Sequence, residues 1–196
     1  MNKTSFLILA GLLIAARLSA LDFKQGVDVD YFTKLRLDFA ARKDYAPDWT
    51  ASDERQAIYQ AFRNGDIDAA IKLGDAWLEK TPVDAEVYMI VGLGHRQKGE
   101  FKAYLQCLGR FYGLLQSITA GGDGLAPETA FKVIAVPEEY FLFRELGAKV
   151  LNQTLIGQCD KMELEDRDGK KFTLYFDVSI SLDATARQLG GKPEAK

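Results

Sequence analysis

The chain has 196 residues, 47% of them apolar and 27% charged, an ordinary balance for a folded protein and one that argues against extended disorder. Its 28 acids against 25 Lys and Arg give a net charge of −3, so it lacks the basic surplus of a nucleic-acid binder or of a protein drawn to an anionic bilayer. One histidine and two cysteines exclude a structural zinc site, which takes about four closely spaced ligands.

The first 20 residues stand apart. "MNKTSFLILAGLLIAARLSA" opens with Lys3, carries an apolar run from Phe6 to Ala16 and ends in Leu18-Ser19-Ala20, the layout of a secretory signal peptide. The run is shorter than the roughly 20 apolar residues of a membrane span. The alternative is an uncleaved N-terminal anchor. No cysteine follows the run to take a lipid. Cleavage would remove Lys3 and Arg17 and no acid, taking the net charge from −3 to −5. The expected location is therefore outside the cytoplasm, in the periplasm, with no membrane span once the leader is gone.

Residues 21–50 read as an N-terminal helical segment. Tyr31, Phe32, Leu35 and Phe39 recur at helical spacing, and Pro47 closes the segment. An internal repeat follows. Gly65 and Gly99 are 34 residues apart, and so are Asp66 and Glu100, Ile67 and Phe101, and Ala69 and Ala103. That period resembles the tetratricopeptide helix–turn–helix unit, with each glycine in the turn between the two helices. In repeat phase, helices are expected near 52–63, 66–79, 84–97 and 100–117. The residues agree less well than the spacing: Glu54 stands at the early aromatic position of the first unit and Gly74 at the late one, whereas the second unit has Tyr88. Two such units leave an apolar face open at each end, which residues 21–50 and the C-terminal half are expected to cap.

"SITAGGDGLAPETAF" breaks the pattern and reads as a loop. "FKVIAV" (131–136) is apolar on both faces apart from Lys132, which predicts an interior strand. Residues 149–156 read as a weaker strand. A hairpin follows, with Met162 and Leu164, then Phe172, Leu174, Phe176 and Val178, on one face and Asp168-Gly169 at the turn. "LDATARQLG" reads as a short terminal helix. The regions are thus a leader (1–20), a helical repeat region (21–120) and a small α+β region (121–196) joined to it. The fold class is α+β: tetratricopeptide-like helical repeats packed on a small, mainly antiparallel sheet with one helix.

Candidate chemistry is sparse. In "VPEEYFLFRELG", Pro137 suits the first helical turn, Glu138 and Glu139 face the positive end of the helix dipole, and Gly147 stops the helix. Its Tyr140, Phe143 and Leu146 face is expected on the sheet, with the helical repeat as the alternative. "AGGDGLAPE" lacks the ending of a phosphate loop and precedes a strand. "EDRDGKK" is too short for an EF-hand loop and sits between strands. His95, in the second repeat, has no acid or nucleophile beside it in sequence and reads as a packing residue. Glu139 and Asp177 are the carboxylates a hydrolase would draw on. The exported setting permits a Cys107–Cys159 disulfide, against two separate buried thiols. By resemblance to tetratricopeptide units, a binding surface on the first helix of each pair would include Arg55, Tyr59 and Arg63, then Met89, Leu93 and Arg96. Arginines among apolar residues suit a peptide carboxylate or another envelope protein. No motif calls for a cofactor or a metal.

The order "GGDG…ETAFKVIAVPEEYFLFRELG…CDKMELEDRDGKKFTLYFDVS" resembles the bacterial exported proteins grouped as domain-of-unknown-function family 4919. The resemblance implies a helical N-terminal part followed by this string of motifs, and carries no activity, cofactor or catalytic residue. The expected function is a non-enzymatic protein- or ligand-binding module. The alternatives are a carboxylate-dependent hydrolase of the envelope and a structural envelope protein.

Overall fold

Aspartates start three helices of the N-terminal half. In the computed structural model, which describes residues 27–190, Asp28 caps α1 (Val29–Ala40) by accepting from the Tyr31 N–H at 2.9 Å. Asp66 caps α3 (Ile67–Lys80) through Ala69 N at 3.1 Å, and Asp84 caps α4 (Ala85–Gln97) through Val87 N at 3.2 Å. Each cap satisfies an N–H that the helix leaves open, for about 1 kcal/mol. The leader reading on residues 1–20 lies outside the described residues.

The chain divides into two compact units, the first of them Val27–Ser117. Its remaining elements are a 3-10 turn, Trp49–Ala51, the helix α2, Asp53–Arg63, and α5, Phe101–Thr119, whose last two residues pass the unit's boundary. The repeat phase therefore places all four repeat helices within two residues of their bounds. Gly65 and Gly99 both take positive φ, 79° and 75°, which makes the 34-residue spacing a spacing of equivalent turns. α3 packs between α2 and α4 around Ile58, Trp77, Leu78, Val87 and Val91. Gly74, the apparent defect of the first repeat, is what permits this: a Cβ there would lie 2.3 Å from Val91 Cγ2. α1 ends at Ala40, well before Pro47; the turn after it is held by Arg42, which binds Asp44 and donates to the Lys80 carbonyl. The Phe32 ring lies where a side chain on Gly113 of α5 would stand, and buried Arg36 donates to the Ser117 carbonyl at 3.1 Å.

The second unit, described over residues 118–190, is a four-stranded sheet with two helices. β1 (Phe131–Lys132), β2 (Lys149–Ile156), β3 (Cys159–Glu165) and β4 (Lys171–Asp177) lie in the order β1-β4-β3-β2. β2–β3 and β3–β4 are antiparallel; β1 joins β4 in parallel. α6 (Val136–Leu146) precedes β2, and α7 (Ser179–Gln188) follows β4. The loop before β1 and the turn between β3 and β4 form as the composition predicts. In that turn, Asp166 accepts from the N–H groups of Asp168 and Lys170, and Gly169 takes φ 76°.

One expectation is corrected. "FKVIAV" is not an interior strand: β1 is two residues long and lies at the sheet edge. Val133, Ile134 and Ala135 are fully buried past the two paired residues, with Val133 N still donating to the Asp177 carbonyl at 3.2 Å, so an apolar run here signals burial and not a central position. The cause is the helix start just downstream. Pro137 occupies the first turn of α6, and Glu138 Oε2 accepts from Ile134 N at 2.8 Å, filling the donor on the side away from β4 where a further strand would have to pair. At its other end Gly147, φ 64°, closes α6, with the Ala148 N–H bonded to the Phe143 carbonyl at 2.8 Å.

Candidate functional site

The two units are built around different ionisable clusters. In the sheet unit, facing residues share a side of the sheet. Phe131, Phe176 and Asp160 are in register and share one side; Lys132, Asp177 and Cys159 share the other. α6 covers the first side, with the Phe143 ring 5.4 Å from that of Phe176, so this helix packs on the sheet as its aromatic spacing predicts. Tyr140 of the same helix is exposed instead and reaches sideways to β2.

Glu139 is on the buried side of α6. Its exposure is 0%, and neither carboxyl oxygen receives a hydrogen bond. Asp160 of β3, 5% exposed, reaches the same place from the sheet. Burial above all, then the charge of Asp160 and that of Glu138, pushes Glu139 up to about 9. Two ionised carboxylates can only accept, so their approach becomes a hydrogen bond only when one holds a proton. At neutral pH Glu139 holds it. The chain of contacts continues outward: Gln153 of β2 donates to Asp160 at 2.7 Å, and the Tyr140 hydroxyl donates to the Gln153 carbonyl oxygen at 3.2 Å. Asp160 is the residue that motif reading missed. It is in phase with buried Met162 and Leu164, two and four residues on, and that alternation was the available signal.

Asp177 does not join Glu139. It is on the opposite side of the sheet, paired with Lys132 at 3.4 Å and accepting from Ser179 N at 3.0 Å. Burial raises its pKa, but the Ser179 hydrogen bonds and the Lys132 charge outweigh that and leave it lowered. A hydrolase built on Glu139 and Asp177 is therefore corrected: the sheet itself stands between them. Cys159, in register with Asp177, has its thiol pKa raised by burial and then by the acids Asp177, Glu128 and Asp160. Burial also pushes Cys107, in the helical unit, up to about 11. Both are free thiols.

In the helical unit, Arg55 of α2 is buried and its guanidinium is already engaged. Nε donates to Asp84 Oδ2 at 2.7 Å, and Nη2 is ion-paired with Glu86. Burial would lower its pKa; the Asp84 hydrogen bond and charge reverse that and hold it above its ordinary value. Trp77 Nε1 donates to the same Asp84 oxygen at 3.0 Å, and the Tyr59 ring stands 4.8 Å under the guanidinium. Arg55 thus ties α2 to α4. Of the other residues read as a binding surface, Tyr59, Met89 and Leu93 are half-buried, while Arg63 and Arg96 are exposed, the latter over the Tyr104 ring. His95 has an acid partner after all, Glu100 at 2.6 Å across the Gly99 turn, and Glu100 also meets Lys98 at 3.6 Å. Among the described residues, no three His, Cys, Asp or Glu side chains come together as a metal site, and no helix is long and apolar enough to cross a membrane.

Comparison with curated proteins and with solved structures finds no match. The family model described as Domain of unknown function (DUF4919) matches residues 21–187, and the chain belongs to that family.

Proposed function

We propose that this protein is an exported, non-enzymatic binding module of the cell envelope, which takes another envelope protein or a peptide on the first helices of its tetratricopeptide-like pairs. The observation that carries the reading is how its ionisable groups are used. Arg55 is paired with both Asp84 and Glu86 between helices, and Glu139 with Asp160 is sealed under α6. Groups of this kind that serve chemistry have to meet a substrate. The exposed cations Arg63 of α2 and Arg96 of α4 lie beside half-buried Tyr59, Met89 and Leu93, a mixture that suits an acidic peptide with apolar side chains. The N-terminal sequence supports export.

Two measurements test it. Fractionation with intact mass on the recovered protein is expected to show loss of the leader; a cytoplasmic, full-length chain would overturn export. Cross-linking capture from envelope extract is expected to yield a partner that a R63E/R96E variant of unchanged melting temperature fails to retain. Equal retention by the variant would overturn the binding face.

A further inference from the structure

β2 is an edge strand of a kind that folded proteins usually avoid. It is eight residues long, only Val150 is not exposed, and Leu151, Leu155 and Ile156 stand 40%, 52% and 48% exposed. It carries no proline and no charge after Lys149. Edges that must stay unpaired are shortened, charged or broken by proline. Among the described residues, the sheet ends at β2.

The outer edge has a definite hydrogen-bonding register. The turn of Gly157 and Gln158 leaves only two residues between the paired Ile156 and Cys159, which makes them a hydrogen-bonded pair. Thr154 and Asn152 then also bond to β3, and Gln153 and Leu155 turn their N–H and C=O groups away from the sheet. A row of this kind is satisfied by another extended strand.

The sequence of β2 says which strand. "VLNQTLI" reads the same, by side-chain class, in both directions from Gln153: Asn152 answers Thr154, Leu151 answers Leu155 and Val150 answers Ile156. A two-fold contact joins a surface to itself and so requires self-complementarity of this sort. We propose that β2 pairs antiparallel with β2 of a second copy of this chain, centred on Gln153. Leu155 of one copy then meets Leu151 of the other, Thr154 meets Asn152, and Gln153 meets Gln153, with no like charges opposed. Leu151 is itself the bulge residue, without a partner in β3, so the regular pairing is concentrated on Asn152, Gln153 and Thr154, with the Leu155–Leu151 contacts at its margins. Two four-stranded sheets become one continuous sheet across the axis.

Sedimentation equilibrium on the chain without its leader, from low to high micromolar concentration, tests the proposal. The wild type is expected to pass from the monomer mass to twice that mass. L155K sets a charge against the partner's Leu151, and L155P removes an outward N–H while leaving the β3 ladder whole. Both are expected to stay monomeric with unchanged circular dichroism, whereas L189K, at an exposed site outside the strand, is expected to dimerise as the wild type does. A wild type that stays monomeric at the highest concentration overturns the proposal. So does a dimer that either strand variant, still folded, leaves intact.

Discussion

Glu139 and Asp160 converge from opposite layers, one on the buried side of α6 and the other on the strand beneath it, and the proton that lets them meet is held by Glu139. This pairing explains an otherwise costly arrangement. A fully buried carboxylate without a donor is strongly disfavoured, and protonation is the least expensive escape where no cation is near. The groups facing Glu139 are Asp160 from β3 and Glu138 beside it on α6, both acids, so each reinforces the neutral form.

Stability should therefore fall with rising pH on account of this residue. Its folded pKa, about 9, lies above an unfolded value near ~4.3. Between the two, the folded state binds a proton that the unfolded state has released. The contribution is full below the unfolded value and is lost as pH rises through the folded one. E139Q keeps the shape and removes the titration. It is expected to match the wild type near or below about pH 4, to exceed it at neutral pH by roughly 4 kcal/mol, and to lead by more in mild alkali. Urea melts across this range are the check; parallel pH profiles for the two proteins would contradict it.

Arg55 and Asp84 form the corresponding anchor of the helical unit, with the opposite solution, an ion pair in place of a proton. Asp84 caps α4 and receives both Arg55 and Trp77, and it is 3% exposed. D84N keeps the size and removes one of the two acids paired with Arg55, leaving Glu86. The loss expected is about 1.5–3 kcal/mol, the range for a hydrogen bond to a charged group. R63A, at an exposed site on the same helix as Arg55, should change stability by less than about 0.5 kcal/mol. Thermal or urea melts of the two variants distinguish an internal tie from a surface cation.

Two glycines of α5 should respond in opposite directions to the same change. At Gly109 an added Cβ meets nothing within 4 Å, so G109A should stabilise by about 0.5–1 kcal/mol through helix propensity. At Gly113 the same atom would stand 2.2 Å from the Phe32 ring, so G113A should destabilise by roughly 1–3 kcal/mol as α1 is forced off. Equal effects of the two alanines in denaturant melts would show that α1 does not rest on this face of α5.

The helices were legible because their cues are local. Period, acidic starts and the Gly65 and Gly99 turns each act within a few residues, and the hairpin alternation from Met162 to Val178 does the same. What lay hidden depends on distant partners. Arg55 looked free because Asp84 and Glu86 are 29 and 31 residues away in sequence. "FKVIAV" looked central because burial and strand pairing produce the same apolar run, and only the helix start at Pro137 separates them. Glu138 and Glu139 look alike in the sequence, yet one caps the Ile134 N–H and the other turns toward Asp160. Adjacent helical residues point about 100° apart, which is enough to send two identical side chains to different tasks.

The central claim is that Glu139, the most strongly shifted carboxyl among the described residues, is a sealed acid that keeps its proton at neutral pH. Carbon-13 NMR of glutamate-labelled protein, with E139Q to assign the signal, tests it most directly. Glu139 is expected to keep a neutral-acid carboxyl shift through neutral pH and to titrate at about 9. A Glu139 signal that titrates in the ordinary carboxylate range, near ~4–5, would contradict the account.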